Sequence, residues 1–382
     1  MRLSTIKFYN FRNFKEVYLE IKKNPIIIVG PNASGKTNFL EVVQVLSFGR
    51  SFRARREKDL IRFGLDFLRI EAYLEKNNKT YKIEFTEEKP EKKPLAKKVK
   101  INDTKKKIIN LVGFVNSVWF SPQDLNIILG APSIRRRYLN LVLAQVDKKY
   151  VYALAMYHRI ISNRNQLLDR IKKRESQTEE LFFWDQNLIE HGVYLLKKRL
   201  EFVSYIKRHI TKIYQEITGN HKKLGIYFKS NCFTSQKENL QTQYQEQLKK
   251  NYEKDIYYGF TGMGPHRDDF KLVLDNHGIA SFGSQGEIKA TVLALKKIET
   301  EFLKEKTEDD PILLLDDVFS EFDKERRKKL ISQIDEQQTF ITTTELSFVD
   351  KKCLRNAQVV NVEELAGKRF RIQKTSKQES RV

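Results

Sequence analysis

The hydrophobic pattern of the first part of the chain predicts a strand, a loop and a helix in succession. The apolar run at residues 25–29 is typical of a buried parallel strand. After the next turn, apolar residues recur at helical spacing from Phe39 to Leu46, and Gly49 follows as a stop signal. This order places a loop at the amino end of a helix.

The pattern changes farther along the chain. Residues 68–86 alternate as the strands of a hairpin do, whereas residues 89–107 contain nine lysines and two prolines and predict an exposed loop or extended ribbon. This ribbon is either a solvated surface excursion or a DNA contact. Residues 134–217 show helical spacing without the sustained heptads of a coiled coil. The polar stretch 230–255 is predicted to be a surface segment that closes this helical insert, after which strands and helices alternate again.

Composition predicts a folded protein that attracts polyanions. Hydrophobic residues make up 40% of the 382 residues, enough to form a core beside the 31% that are charged. The 71 Lys and Arg against 49 Asp and Glu give a formal charge of +22, which favours nucleic acid as a partner. A lysine-rich surface that only keeps the protein in solution is the alternative.

Neither a disulfide framework nor a membrane partner is predicted. Cys232 and Cys353 are too few for such a framework and lack metal-ligand spacing to the six histidines. No stretch approaches the ~18 apolar residues that a membrane span needs, and the amino terminus has no signal-type apolar core. We therefore expect a cytoplasmic protein.

A phosphate-binding loop lies between the predicted strand and helix. Its backbone N–H groups and the helix amino end are suited to cradle phosphate oxygens. Lys36 is expected to reach the β and γ phosphates, and Thr37 to bind Mg²⁺. A chance Gly/Ser turn is the alternative, but the flanking strand and helix favour a nucleoside triphosphate site. The loop consists of Gly30, Pro31, Asn32, Ala33, Ser34, Gly35, Lys36 and Thr37.

Two further elements carry candidate chemistry. The apolar run 311–315 predicts a buried strand that delivers Asp316 and Asp317 at its carboxyl end, where they are able to face the nucleotide. Asp316 is placed to hold Mg²⁺ through water, and Asp317 to polarise the attacking water. Ser284 and Glu287 predict a capping box at a helix start, which needs no ligand, although the same helix start is equally an anion site.

The order of these elements resembles the ABC ATPase head and, in detail, the RecF family of bacterial recombination and gap-repair proteins. That order is phosphate loop, long insert, Ser-x-Gly-Glu helix, and strand with paired acids. The resemblance covers nearly the whole chain. Its local motifs occupy residues 10–13, 30–38, 49–53, 121–125, 135–137, 264–269 and 314–323.

The resemblance implies an ATP site shared between two copies of the chain. Ser284 and Gly286 would face the γ-phosphate bound by the second subunit, so that dimerisation follows ATP binding. Arg12 and Asn13 are expected on the nucleotide side. The alternative for Arg12 is that it is only a surface cation. Gln123 is expected to sense metal or water and to assist catalysis. The alternative is that Gln123 is only a residue of a turn.

The resemblance also implies a fold class and a division into domains. We expect an α/β fold, an ABC-type P-loop ATPase head with an inserted, mainly helical second lobe. Residues 1–130 and 256–382 would form the split ATPase lobe, and residues 131–255 the inserted lobe. Thr343 or Thr344 would occupy the γ-phosphate switch position.

The implied function is a DNA-repair ATPase with ATP and Mg²⁺ as cofactors and Lys36, Asp317 and Gln123 as catalytic residues. It would dimerise on ATP, bind single- or double-stranded DNA, gap junctions included, and hydrolyse ATP slowly with stimulation by DNA. RecR and RecO are the partners that the family suggests. A transporter ATPase subunit and an SMC-type tether are the alternatives; the charge and helical insert oppose the first, and the lack of heptad arms opposes the second.

Some residues depart from the family pattern or have no assigned chemistry. Ala33 replaces a frequent Gly, Glu287 a commoner Gln, and Gln123 a commoner Glu. Glu287 bears on the contacts expected of Ser284 and Gly286 with the second nucleotide. Gln123 bears on the expected sensing of metal or water. His266 and Arg267 lie in a turn of mixed charge, for which a structural role is the expectation.

Overall fold

The computed structural model describes residues 1–54, 56–90, 94–233, 239–320 and 337–367. Its strands are β1 (Arg2–Phe11), β2 (Phe14–Glu20), β3 (Ile26–Val29), β4 (Phe67–Lys76), β5 (Lys79–Glu88), β6 (Ala96–Ile101), β7 (Thr104–Lys106), β8 (Ser117–Phe120), β9 (Leu224–Lys229), β10 (Asp269–Leu274), β11 (His277–Gly278), β12 (Ile312–Asp316), β13 (Thr339–Thr343) and β14 (Gln358–Asn361).

The helices of the described residues fall mainly between β8 and β12. They are α1 (Lys36–Phe48), α2 (Asn126–Leu129), α3 (Pro132–Val146), α4 (Lys148–Lys172), α5 (Leu181–Thr218), α6 (Leu240–Lys250), α7 (Tyr252–Tyr258), α8 (Ile279–Phe282), α9 (Gln285–Thr307), α10 (Lys351–Asn356) and α11 (Val362–Gly367).

A parallel sheet of five strands positions the candidate site. Its order is β14-β3-β13-β12-β8, and every neighbouring pair is parallel. Alternate side chains of β12 enter two different cores, with Leu313 and Leu315 on one face and Leu314 on the other. Because all five strands run the same way, the segments that follow β3, β12, β13 and β8 meet at one edge of the sheet.

An antiparallel sheet covers one side of this layer. Its order is β2-β1-β4-β5-β6-β7, and the predicted hairpin is formed by β4 and β5 with Asn77 and Asn78 at the turn. The lysine-rich segment, predicted as an exposed loop or ribbon, forms β6 and β7 in its described part. Helix α1 is buried between the two sheets, where Phe39 lies 5.7 Å from Phe8 and 6.2 Å from Phe340 between ring centroids.

Helices pack against the other face of the parallel sheet. The predicted helical insert contains α3, α4 and the 38-residue α5, and α5 packs on α4 and α9. Residues of α3, α5 and α9 share one hydrophobic core with β8 and β12. The division into residues 131–255 and a split ATPase lobe stays a prediction. Among the described helices, none is both long and apolar enough to cross a membrane.

Candidate nucleotide-binding site

The loop between β3 and α1 has the backbone conformation that a phosphate loop needs. Ala33 and Gly35 are left-handed, with φ of 63° and 106°. A Cβ atom at Gly35 would lie 2.5 Å from the Asn13 Nδ2 atom, so that position has no room for a side chain. Ala33 takes a strained conformation that glycine would adopt more easily. The first-turn N–H groups of α1 have no acceptor within the helix and remain available to a ligand.

Lys36 lies inside this loop rather than in solvent. Its Nζ atom donates hydrogen bonds to the carbonyl oxygens of Gly30 at 2.8 Å and Pro31 at 2.9 Å. Burial lowers the pKa of Lys36, while the charges of Asp317 and Asp316 act in the opposite direction. The Ser34 hydroxyl is buried and has no hydrogen-bond partner among the described residues. An orphaned hydroxyl beside a buried cation fits a phosphate group.

Three oxygen-bearing side chains meet beside Lys36. Thr37 Oγ1 donates to Asp316 Oδ1 at 2.8 Å, and Thr342 Oγ1 donates to the same atom at 2.9 Å. Burial raises the pKa of Asp316, opposed by these two hydrogen bonds. A hydroxyl and one carboxylate are the few protein oxygens that Mg²⁺ needs when phosphates complete its coordination. Among the described residues no cluster of three or more His, Cys, Asp or Glu offers another metal site.

Asp317 follows β12 in a left-handed conformation with φ of 54°. Its backbone N–H group donates to Thr342 Oγ1 at 2.9 Å, so one hydroxyl contacts the Asp316 carboxylate and the Asp317 backbone. The expected switch residue Thr343 is buried, and its carbonyl accepts the N–H of Gly30 at 3.3 Å. Thr344 is half-buried beyond it. Residues 321–323 of the acidic motif lie outside the described residues.

Sequence reasoning missed Thr342, which contacts both acidic residues. Strand pairing is what brings it there, because Thr342 is the direct partner of Asp316 in the parallel ladder of β12 and β13. The signal in the sequence is a threonine within the apolar run that precedes Thr343. Only the register of the two strands distinguishes Thr342 from its neighbours.

Arg12 and Asn13 both lie at the loop but make different contacts. Asn13 Nδ2 donates to the Ser34 carbonyl at 3.0 Å, and Asn13 Oδ1 accepts from Asn38 at 2.9 Å. The Arg12 guanidinium makes two hydrogen bonds to Glu41, at 2.7 and 2.9 Å. Glu41 is fully buried and was also missed by sequence reasoning. It fixes Arg12 beside the loop instead of leaving it as a free surface cation.

Gln123 is exposed in a 3₁₀ turn, Pro122–Leu125, directly after β8. Since β8 is the neighbour of β12, this turn lies at the same sheet edge as the paired acids. Gln123 and Arg53 line a cavity of about 350 Å³ there. The Asp124 carboxylate accepts the Ser121 N–H at 2.6 Å and holds the turn in place.

Ser284 caps α9 as the capping box predicted. Its hydroxyl accepts the Glu287 N–H at 3.3 Å, and Glu287 accepts the Ser284 N–H at 2.8 Å. Lys222 binds the other Glu287 oxygen at 2.7 Å. Ser284 is exposed and Gly286 half-buried. Among the described residues, no hydrogen bond joins Ser284 or Gly286 to the phosphate loop of the same chain.

The turn at residues 264–269 is tied to buried partners. Arg199 is almost fully buried and donates to Asp268 at 2.8 Å. His266 contacts the Tyr157 hydroxyl at 2.9 Å and the Thr261 carbonyl at 3.0 Å, and burial lowers its pKa to about 4. A neutral, fully bonded histidine fits the structural role expected for this turn.

Comparison with known proteins places this geometry in a family. Residues 2–366 match the RecF/RecN/SMC N terminal domain. The DNA replication and repair protein RecF of Bacillus cereus (strain AH820) is 33% identical over 368 residues, covering 95% of this chain and 97% of that protein. RecF of Bacillus anthracis (strain CDC 684 / NRRL 3495) has the same identity and coverage.

Solved structures agree with the sequence relatives. The recombination mediator protein RecF in its RecF-ATP form, of the RecFOR pathway, has a TM-score of 0.85 at 34% identity and covers 91% of this chain and 93% of its own. The Smc head domain from Pyrococcus furiosus, at TM-score 0.52 and 16% identity over 94% of this chain and 92% of its own, shares the fold. The α/β ABC-type ATPase head is therefore confirmed, and the chain belongs to the RecF family of DNA replication and repair proteins.

Proposed function

We propose that this chain is a DNA-repair ATPase that binds ATP with Mg²⁺, dimerises around it and holds DNA until the ATP is hydrolysed. The observation that carries the proposal is the junction of Lys36, Thr37, Asp316 and Thr342 at one sheet edge. A buried cation, a hydroxyl and a carboxylate beside a left-handed loop are what a nucleoside triphosphate with its metal requires.

In this proposal the loop exchanges internal contacts for the nucleotide. Lys36 leaves the carbonyls of Gly30 and Pro31 and takes the β and γ phosphates, while Ser34 gains the partner it lacks. Thr37 would bind Mg²⁺, and Asp316 would hold it through water. When bound, ATP with Mg²⁺ would supply the phosphoryl group for hydrolysis. Its charged γ-phosphate would be contacted by both subunits. Asn32, Ala33 and Gly35 contribute backbone N–H groups, while Gly30 and Pro31 shape the loop.

Hydrolysis requires a base and an oriented water. Asp317 follows the buried strand and is fixed through Thr342, which supports its role in polarising the attacking water. Gln123 lies in the adjacent turn and is suited to orient that water or sense the metal. The amide of Gln123 is neutral and cannot act as a base, which leaves that role to Asp317. We expect turnover to be slow and to increase with DNA.

The second half of the ATP site would come from another copy of the chain. Ser284 is exposed at the amino end of the 23-residue α9, where the helix dipole favours the γ-phosphate. Glu287 and Lys222 hold that helix start in one conformation. Gly286 has no side chain and lies in the first turn of the same helix. ATP binding would therefore close the dimer.

DNA and partner proteins complete the proposal. The formal charge of +22 supports binding to the phosphate backbone of single- or double-stranded DNA, including gap junctions. The solved relatives are described as components of the RecFOR pathway, which supports RecR and RecO as partners.

Sedimentation with and without ATP tests the proposal through three variants. Lys36→Ala should abolish retention of labelled ATP, because the phosphates lose their cation. Asp317→Asn should keep ATP and accumulate as dimers. Ser284→Arg should keep ATP but stay monomeric, because the long cation occupies the interface.

Ser204→Arg is the matched control, since Ser204 is an exposed serine on α5 away from the helix start of α9. It should dimerise with ATP as the unmodified chain does. Retained ATP in Lys36→Ala would refute the nucleotide site. ATP-dependent dimers of Ser284→Arg would refute the shared site. Binding of Asp317→Asn to gapped, duplex and single-stranded DNA, with and without ATP, tests the DNA step.

A further inference from the structure

Three aromatic side chains form an exposed surface at the end of α7. Tyr257, Tyr258 and Phe260 are 71%, 60% and 40% exposed, and we name them the aromatic ridge. The ring centroids of Tyr257 and Tyr258 are 5.0 Å apart, and those of Tyr258 and Phe260 are 5.7 Å apart. Single exposed aromatic residues are common on protein surfaces, but contiguous ones mark binding surfaces.

Cations lie over both ends of the aromatic ridge. Lys172 Nζ is 5.9 Å from the centre of the Tyr257 ring, and the Arg267 guanidinium carbon is 5.4 Å from the centre of the Phe260 ring. Both cations are exposed, as are Arg170 and Lys254 on the neighbouring turns of α4 and α7. Asp169, beside Gly259, is neutralised by Lys173 at 2.7 Å, so the surface combines aromatic faces with a net positive charge.

A buried cation fixes the segment that carries the aromatic ridge. Arg164 is fully buried, and its Nη1 atom donates to Asp255 at 2.7 Å and to Thr261 at 2.8 Å. These two partners are the residues on either side of segment 256–260. Asp185 binds the Nε atom of the same guanidinium at 2.7 Å. Arg164 therefore holds both ends of the segment, so that the backbone carrying the rings loses little conformational freedom when a ligand binds.

The charge of the surface decides which partner it fits. A protein that covers exposed rings is usually apolar at the contact, whereas Lys172 and Arg267 add exposed positive charge beside the rings and favour an anionic ligand. Unpaired nucleotides offer both features, because every base has a flat π-face and every linkage carries a phosphate. Paired bases stay stacked on one another and do not expose that face.

We propose that the aromatic ridge binds unpaired nucleotides of DNA, with bases stacked on Tyr257 and Tyr258 and phosphates held by Lys172 and Arg267. The inference rests on the proposed DNA binding and adds a preference for single-stranded segments. It gives the carboxyl end of α7 a role that the ATP site does not provide.

A single-stranded oligonucleotide containing 2-aminopurine tests the stacking. The full chain should quench its fluorescence on binding, because the base stacks on a ring. The double variant Tyr257→Ala and Tyr258→Ala should lose the quenching and bind this strand about tenfold or more weakly. Tyr227→Ala is the control, since Tyr227 is 62% exposed on β9, outside the aromatic ridge. It should leave both signals unchanged.

The salt dependence of the affinity for single-stranded DNA distinguishes the contribution of the cations from that of the rings. Lys172→Gln should reduce the slope of log affinity against log salt by about 0.7, the share of one phosphate of a single strand, whereas the double tyrosine variant should keep the slope. If the double variant quenches and binds as the unmodified chain does, the stacking site is refuted while ATP-dependent duplex binding still supports the proposed function. If the chain with ATP binds neither strand form, both proposals fail.

Discussion

At the scale of single residues, the carboxylate of Glu87 on β5 makes the stability of the fold depend on pH. The side chain is 0% exposed, and neither oxygen has a hydrogen-bond partner among the described residues. Burial raises the pKa of Glu87 from 4.5 to about 7, although Lys97 acts in the opposite direction. The folded chain thus prefers the protonated form. Its contribution to stability is complete below pH 4.5 and is lost as the pH rises through about 7.

Replacing Glu87 with glutamine should remove this dependence, because the amide stays neutral. We expect Glu87→Gln to reduce the difference in unfolding free energy between pH 5 and pH 8 by about 2 kcal/mol. Urea denaturation at the two pH values measures it. Glu88→Gln is the control, because Glu88 is partly exposed and paired with Lys98. If Glu87→Gln shows the same difference in unfolding free energy between the two pH values as the unmodified chain, the prediction is wrong.

The residues of the ATP site divide into those that a pattern reveals and those that it does not. Lys36, Thr37 and Asp316 were predictable, since each has a fixed place next to a strand end or helix start. Thr342 and Glu41 were not. Thr342 reaches the site through the register of β12 and β13, and Glu41 through a buried ion pair with Arg12. Neither property is a local feature of the sequence.

At the scale of elements, Lys296 connects the two parts expected to detect ATP. Its side chain is 6% exposed, and Nζ lies 3.3 Å from Asp124 and 3.1 Å from Glu299. Asp124 belongs to the turn that carries Gln123, while Lys296 belongs to α9, which begins after Ser284. One buried cation therefore joins the turn that carries Gln123 to the helix whose start would meet the second subunit.

Removal of this cation leaves the buried Glu299 and the half-buried Asp124 without their counter-charge. Lys296→Met should lower the unfolding free energy by about 3 kcal/mol. Lys297→Met is the matched control, because Lys297 is the next residue on α9 and pairs with the more exposed Glu216 at the surface. It should change stability by less than about 0.5 kcal/mol. Equal effects of the two substitutions in thermal or urea unfolding would show that Lys296 contributes no more to the free energy of unfolding than Lys297 does.

Elements with a strong periodicity were predicted better than polar ones. The end of α1 at Gly49, the hairpin of β4 and β5, and the helical character of residues 134–217 are confirmed by the structure. The polar stretch 230–255 was expected only as a surface segment, yet it contains α6 and most of α7. Helix α6 buries few apolar side chains, Tyr244 and Leu248, and this is too weak a stripe for its sequence to indicate a helix.

At the scale of the whole molecule, the positive charge and the proposed dimer act together. One copy carries a formal charge of +22, so two copies closed around ATP would present two basic surfaces to the same DNA. Each phosphate that a cation neutralises releases a counterion, which makes the salt dependence of binding a count of phosphate contacts. The oligomeric state of the bound protein can therefore be determined from that slope.

The slope for duplex DNA should be about twice as steep for the ATP-bound chain as for Ser284→Arg with ATP, because the variant binds as a monomer and neutralises half as many phosphates. Fluorescence anisotropy of a labelled duplex across a series of salt concentrations measures both slopes. Ser204→Arg, which leaves α9 intact, should keep the steeper one. Equal slopes for the chain and Ser284→Arg would mean that only one copy contacts the duplex. In that case ATP-driven closure would serve a purpose other than adding a second DNA-binding surface.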